Sequence, residues 1–389
     1  MTRDLRLVAL SLFLWGVGEG MFFYFQPLYI QQLGAQPVQI GAILGAAGLA
    51  MAVTHIPAGA LADSLGRKQL MVLSWTVGLL ATVMMYSAGS LPLFVGGLLV
   101  YSFTAFVMSP LSSYITAARG AWPVSRALTA VYACFGLGAV VGPISGGLLA
   151  ERIGLRGIYG VASAVFVAST ALMLTIRAQP TEASDGASRY AALLRRRPFL
   201  IFLALAFGVT FALFLSWPLT PNFLQQERGV SLAQIGIFGS LNALGGVVFN
   251  LTLGRLHPRP AYLIVQGLVG LSAVCLWQGV GLPWFALGYF LAGGFRTSRS
   301  LVVAQVEALV HKSEIGLAYG LAETAQAISL VAAPPLAGIL FATDPALPYP
   351  VSIGLIAVML LLSSRLAPQA AAAAIPVPLA DTGAMHTEG

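Results

Sequence analysis

The chain reads as an all-α membrane protein, with twelve transmembrane helices in two pseudo-symmetric six-helix halves. Three observations carry that reading. The 389 residues are 58% hydrophobic and 8% charged, with a mean hydropathy of +0.86. A soluble domain carries about 25% charged residues, and a water-facing globule cannot hide this much apolar surface, so lipid must cover it. Apolar runs recur twelve times, each near the ~20 residues that cross a bilayer as a helix. The positive charges sit almost wholly on one side of that pattern.

Spans 1 to 6 are residues 7–31, 38–61, 70–88, 92–116, 124–149 and 156–176; spans 7 to 12 are 199–224, 231–254, 260–280, 283–308, 314–341 and 347–366. In hydrocarbon every backbone N–H and C=O must be paired internally, so each span must be a helix. Their many Gly and Pro residues are tolerated where neighbouring helices pack closely. An even number of spans puts both termini on one side. Of the 20 Lys and Arg residues, Arg152, Arg156 and Arg228 fall on the side opposite the termini, and Arg296 and Arg299 fall inside a span. The other fifteen lie on the terminus side, a bias that makes both termini cytoplasmic. It also explains the basic pI without a nucleic-acid partner. Residues 1–25 have the basic start and apolar stretch of a signal peptide, but Glu19 interrupts the core and the run is long, so they read as an uncleaved first helix. Cys134 and Cys275 lie inside spans with no Cys/His spacing around them, so neither a disulfide nor a metal site is read.

The halves are residues 1–176 and 199–366. A polar cytoplasmic linker, 177–198, ends in Arg195-Arg196-Arg197, which suit anionic headgroups. Residues 367–389, Ala/Pro-rich and then polar, read as a disordered cytoplasmic tail. Gln39-Ile40-Gly41 opens span 2 and Gln234-Ile235-Gly236 opens span 8, and the same offset carries Gly59 onto Gly254. Gln26-Pro27-Leu28 echoes Trp217-Pro218-Leu219. The shared order points to duplication, a recognised plan for transporters with a cavity between the halves.

Taken in chain order, span 1 carries Glu19 near its middle, flanked by Gly16, Gly18 and Gly20. A charge at that depth costs at least about 2.5 kcal/mol. Arg296 and Arg299 in span 10 and Glu323 in span 11 are the other deep charges. Arg296 and Arg299, three apart, share a helix face, to which Glu307 returns near the span's end. Two readings stand for each group. Glu19 binds a proton or a cationic substrate in alternation, or serves as a permanent partner for Arg296. The arginines hold an anionic group, or act as counter-ions. Glu323 carries a proton, or bonds within the bundle. His55 reads as a packed or interfacial histidine. Aromatic and weakly polar residues suit an amphipathic ligand: Phe22, Phe23, Tyr24, Phe25 and Gln26 of span 1, Tyr101, Ser102 and Thr104 of span 4, and Phe211, Phe214 and Trp217 of span 7.

Between spans 2 and 3 lies Gly59-x-x-x-Asp63-x-x-Gly66-Arg67-Lys68. Gly59 allows close helix approach, and Gly66 permits the positive φ of a sharp turn. Asp63 and Arg67 can pair with each other or with a helix end. This turn resembles the loop 2–3 signature of the major facilitator superfamily of secondary transporters, with Ser64 where an arginine is usual. Span 5 carries Gly138-x-x-x-Gly142-Pro143-x-x-Gly146-Gly147, small residues that give a flat packing face. It is similar to a span 5 motif frequent in the superfamily's exporters, and span 11 echoes it as Ala333-Pro334-Pro335-x-x-Gly338. The resemblance implies alternating access, a gate at the loop 2–3 cluster that locks the cytoplasmic side, and a cavity lined by spans 1, 4, 7 and 10. Glu19 and the arginine pair would then face each other across the halves. Two positions depart from the family pattern. Span 4 lacks the arginine of many proton-coupled exporters, and the second-half turn Gly254–Arg259 has Pro258 in place of an acid.

These readings converge on a monomeric transporter of the bacterial inner or plasma membrane. It would export small amphipathic compounds, driven by a proton gradient through Glu19 and Glu323, with no cofactor. No G-x-x-x-x-G-K-[ST] loop is present for ATP. The alternative is a carrier of lipid, glycolipid, organic anion or sugar that uses Arg296 and Arg299. No Ser/His or paired-acid set supports a membrane-embedded enzyme, and the loops are short for a receptor.

Overall fold

The computed structural model describes residues 1–179, 196–306, 309–310 and 315–368, and their side chains except at 55–65, 109, 125 and 315–317. The described residues contain helices and no strand. Ten helices are long and apolar enough to cross a membrane. One of them, Val124–Leu174, holds spans 5 and 6, because Gly154 (φ 76°, ψ 166°) breaks it. Unbroken, its 51 residues would reach about 76 Å, over twice the hydrocarbon thickness. Only glycine adopts that backbone without strain. Span 10 adds the twelfth crossing as two short helices, Leu282–Ala292 and Gly294–Val306.

The first span of each group of three is interrupted. Span 1 runs Arg3–Phe23 and then Gln26–Gln32, and span 7 runs Arg197–Phe214 and then Thr220–Arg228. Span 4 runs Leu91–Phe103, tightens into a 3₁₀ turn, and resumes as Met108–Ala118. Span 2 (Pro37–Leu65), span 3 (Arg67–Ser87), span 8 (Leu232–Leu253), span 9 (Pro258–Gln278), span 11 (Ile315–Thr343) and span 12 (Pro348–Leu366) are continuous. Irregular backbone inside a membrane is sustained only where protein or a cavity serves its polar groups. Pro27 and Pro221 restart the second pieces of spans 1 and 7. In span 4, the Ser74 hydroxyl donates to the Thr104 carbonyl at 3.0 Å.

The cores show how the halves meet. One core runs through the first half and continues into the second only through residues such as Leu219, Phe223, Ile235, Phe238, Tyr289 and Phe341, at the end away from the termini. A separate core fills the terminus-side part of the second half, around Phe199, Phe202, Tyr262, Val302 and Ala318. The halves are therefore fused on the far side and part toward the termini. Within the first half, Ser11 and Ser169 share a buried hydrogen bond of 2.9 Å and both accept from the Trp75 indole, tying spans 1, 3 and 6 together.

Candidate functional site

The far-side seal is built twice. Span 2 meets span 11, and span 8 meets span 5. A methyl group on Gly41 would collide with the Pro334 carbonyl and press on Gly338. One on Gly236 would collide with the Pro143 carbonyl and press on Gly147. These are the two sequence echoes in contact: each repeat's Gln-Ile-Gly glycine is docked on the other half's Pro-x-x-x-Gly. The span 5 motif thus has two faces. Gly138, Gly142 and Gly146 back onto Phe13, Val17 and Met21 of span 1, while Pro143 and Gly147 cross to span 8.

Hydrogen bonds reinforce the seal. Tyr24 donates to Asn242 Oδ1 at 3.0 Å, and Asn242 in turn donates to the Tyr289 carbonyl. Asn222 donates to Gln31 Oε1 at 2.6 Å and to the Pro27 carbonyl at 3.3 Å. Ser240 donates to the Val140 carbonyl. At the rim, the Ala233 amide, in the first turn of span 8, donates to Glu151 Oε1 at 3.0 Å. That bond and the Ser231 hydroxyl hold the exposed Glu151 carboxyl below its usual range. Tyr24, Trp217, Tyr289 and Phe238 close the layer beneath, with Trp217 and Tyr289 centroids 5.1 Å apart.

Toward the termini a cavity of about 420 Å³ opens, lined by Arg296, Arg299, Ser300 and Val303 of span 10 and Glu323 of span 11. Arg299 pairs with Glu323 at 2.8 Å, their side chains 34% and 48% exposed. An ion pair so exposed adds little to stability, but it takes up one of the two arginines. The exposed Arg296 guanidinium has no hydrogen bond or ion pair with any described residue.

On the facing half Glu19 is half-buried and accepts from the Tyr101 hydroxyl at 3.1 Å. Aromatic rings surround that pair: Trp15 stacks on Phe166 at 4.1 Å, and Phe22 meets Tyr101 edge-on at 5.4 Å. The Glu19–Arg296 ion pair suggested by opposing spans 1 and 10 is not formed. Tyr101, in the same half, serves the carboxylate, and the ion pair on span 10 is made by Arg299 with Glu323.

Of the residues expected in an aromatic wall, Tyr24 and Trp217 stand in the layer beneath the seal, Tyr101 bonds Glu19, and Gln26 is buried. Phe22 and Phe25 instead turn into the core of the first half. Ser102 and Thr104 bond back to their own helix. In the loop 2–3 cluster, Gly66 has φ 86° and precedes Arg67 and Lys68, which open span 3. The side chains of His55, Gly59 and Asp63 lie outside the described residues, as do Glu307, the linker core 180–195 and the tail from 369. Sequence reasoning missed Asn222, Asn242 and Glu151. An amide inside an apolar span is itself a signal, since such groups seek partners across helices. Glu151 carries no comparable mark.

The Major Facilitator Superfamily model matches residues 8–219 and 202–378. An uncharacterized MFS-type transporter of Methanocaldococcus jannaschii is 30% identical over 175 residues, covering 42% of this chain and 45% of that relative. The enterobactin exporter EntS of Salmonella paratyphi A is 26% identical over 289 residues, covering 68% of this chain and 67% of EntS. Among solved structures, the nucleoside transporter NupG superposes with a TM-score of 0.76 at 15% identity, over 94% of this chain and 98% of that one. A bacterial homologue of the human lysosomal transporter Spinster superposes with a TM-score of 0.71 at 14% identity, over 93% and 95%. At these identities the structural likeness speaks to the fold alone.

Proposed function

We propose, from the premise that this chain belongs to the Major Facilitator Superfamily, that it exports small amphipathic compounds by alternating access, with Glu19 as the proton-carrying group. The observation that carries this reading is the asymmetry of the two ends. The far side is closed by two glycine–proline contacts and cross-half hydrogen bonds, while the terminus side opens a charged cavity opposite Glu19. The Lys and Arg bias supports cytoplasmic termini, and the described state is then the one that loads from the cytoplasm of a bacterial inner membrane. The halves, 1–176 and 199–366, rock about the central site, joined by the 177–198 linker. Similarity to an enterobactin exporter supports the outward direction. The aromatic floor of Tyr24 and Trp217 suits a ligand with an apolar body.

Glu19 fits a proton carrier because its hydrogen-bond partner, Tyr101, is neutral: the carboxyl can gain or lose a proton without first breaking an ion pair. Glu323, held by Arg299, cannot. The test is proteoliposomes loaded with a pH-sensitive dye, given a proton gradient and then a panel of amphipathic cations, anions and neutral compounds. Solute-evoked proton movement that is lost in Glu19→Gln supports the reading. Transport unchanged by the gradient and by Glu19→Gln sinks the coupling.

That no described residue pairs with Arg296 favours a second reading, in which the substrate carries an acidic group. The sign of linkage separates the two. A cation competes with the proton for Glu19, so its binding weakens as pH falls. An acid bound at Arg296 is favoured by protonation of nearby carboxyls, so its binding strengthens.

A further inference from the structure

A second cavity, of about 310 Å³, opens at the terminus-side end of the second half, between the start of span 7 and the end of span 12. Arg197 and Arg365 border it from the two helices, and Ile201, Phe202, Leu309 and Leu366 form an apolar wall. Ile201 and Leu366 are exposed, and the apolar surface continues onto exposed Leu200 and Leu362, so the cavity runs into the face that lipid covers.

No described residue satisfies the charges here. Arg197 is the first residue of its helix, and no acid stands in that first turn. A cation there adds to the positive end of the helix dipole, where an anion is favoured. Arg365 stands in the last turn of span 12, but Arg259 donates to the Ser364 carbonyl and the Ala367 amide to Ser363 O. Neither the Arg197 nor the Arg365 guanidinium bonds a described residue. The described acids of the second half, Glu227, Glu323 and Asp344, all lie elsewhere.

We infer that this cavity is a binding site for an anionic phospholipid, with the headgroup phosphate between Arg197 and Arg365 and an acyl chain along Ile201 and Leu366. Paired guanidiniums recognise phosphate oxygens by bidentate hydrogen bonds, and basic pockets between helix ends attract anionic headgroups. The charged rim and the apolar wall belong to one cavity, which selects an amphiphile over free phosphate. The inference does not rest on the transport reading, and the site is separate from the Arg296–Glu323 cavity.

Native mass spectrometry of the full chain tests it, after incubation with equimolar phosphatidylglycerol and phosphatidylcholine of matched acyl chains, and separately with glycerophosphoglycerol, which has no acyl chain. The site predicts one phosphatidylglycerol retained in preference to phosphatidylcholine. Each of Arg197→Gln and Arg365→Gln should lower that preference about fivefold, and Ile201→Ser should weaken retention without changing it. Equal retention of the two lipids, or a preference unchanged in both arginine variants, would overturn the inference. So would retention of glycerophosphoglycerol as strong as that of the lipid, which would make this a free-phosphate site. Arg365→Gln alone, at an exposed helix end, keeps the test readable if Arg197→Gln does not fold.

Discussion

The two far-side contacts are near copies, and their one difference is instructive. In both, the glycine that is the fifth residue of its helix docks on a proline carbonyl and a second glycine of the other half: Gly41 on Pro334 and Gly338, Gly236 on Pro143 and Gly147. In both, a methyl group would meet backbone rather than a side chain that could swing away. Only the span 5–span 8 contact adds an acid, Glu151, bonded to the first turn of the facing helix. The position equivalent to Glu151 at the span 2–span 11 contact, by the offset that aligns Pro143 with Pro334, is Ala342. Packing, which both halves share, makes the seal; the charge trims one side of it. The same division holds in the site, where the charged groups, Glu19, Arg296, Arg299 and Glu323, break the symmetry that the packing keeps.

The largest effect should come from breaking the shared part. Gly41→Leu and Gly236→Leu force side chains into backbone. Overpacking of this kind costs about 1–3 kcal/mol, so each should raise the ratio of far-side-open to far-side-closed protein by about 5- to 150-fold, to similar extents. Distances between spin labels at the two contacts read this directly; a large response at one glycine and none at the other would break the equivalence. Next comes Tyr24→Phe, which removes the cross-half bond to Asn242 and leaves a buried amide oxygen short of a donor. A loss of about 1 kcal/mol gives roughly a fivefold shift in the same ratio.

The smallest effects sharpen the difference. Glu151→Ala should favour far-side opening about two- to fivefold, and Ala342→Glu should oppose it by installing the missing acid on the copy. The pH sign follows from the bond. Because the Ala233 amide and Ser231 hydroxyl lower the Glu151 pKa from 4.5, the carboxylate supports the closed seal at neutral pH. That support is lost as pH falls below the ordinary carboxylate range and through the lowered value. Glu151→Gln should therefore flatten any dependence of the far-side distance on acid below the ordinary carboxylate range, measured in Glu19→Gln protein. A dependence that survives both substitutions would assign the acid response elsewhere. In the cavity, Glu323→Gln releases Arg299 and should tighten binding of an anionic amphipath several-fold while leaving a neutral one unchanged, as titration calorimetry would record.

Much of the fold was legible because the bilayer imposes it. Apolar length gave the spans, and charge asymmetry is the ground for the proposed sidedness. The interruptions of spans 1, 4, 7 and 10 were not legible, since hydropathy runs unbroken through Tyr24 and Phe25 and through Leu215–Leu219. Gly154 was equally silent until its backbone was seen. In the site, the deep charges announced themselves by their cost, but their partners did not. Nothing in residue spacing says that Tyr101 rather than Arg296 reaches Glu19, because that choice depends on helix rotation within a half. The glycine–proline echoes were readable as a repeat and as an exporter-like motif. That each echo would dock on the other half required the three-dimensional arrangement, since small-residue stripes serve packing within a half equally well, as Gly138, Gly142 and Gly146 do.

The central claim is that sealing one side and opening the other are a single motion about Glu19. Two label pairs on a cysteine-free protein in lipid nanodiscs test it: Gln36 with Thr343 on the far side, and Ala117 with Leu256 on the terminus side. Pulsed electron-resonance distances would be taken at neutral and mildly acidic pH, in wild-type and Glu19→Gln backgrounds. The account predicts that acid lengthens the far-side distance and shortens the terminus-side distance in equal proportions of molecules, and that Glu19→Gln removes the acid dependence of both. Distances that change on one side only, or that respond to acid identically without Glu19, would contradict it.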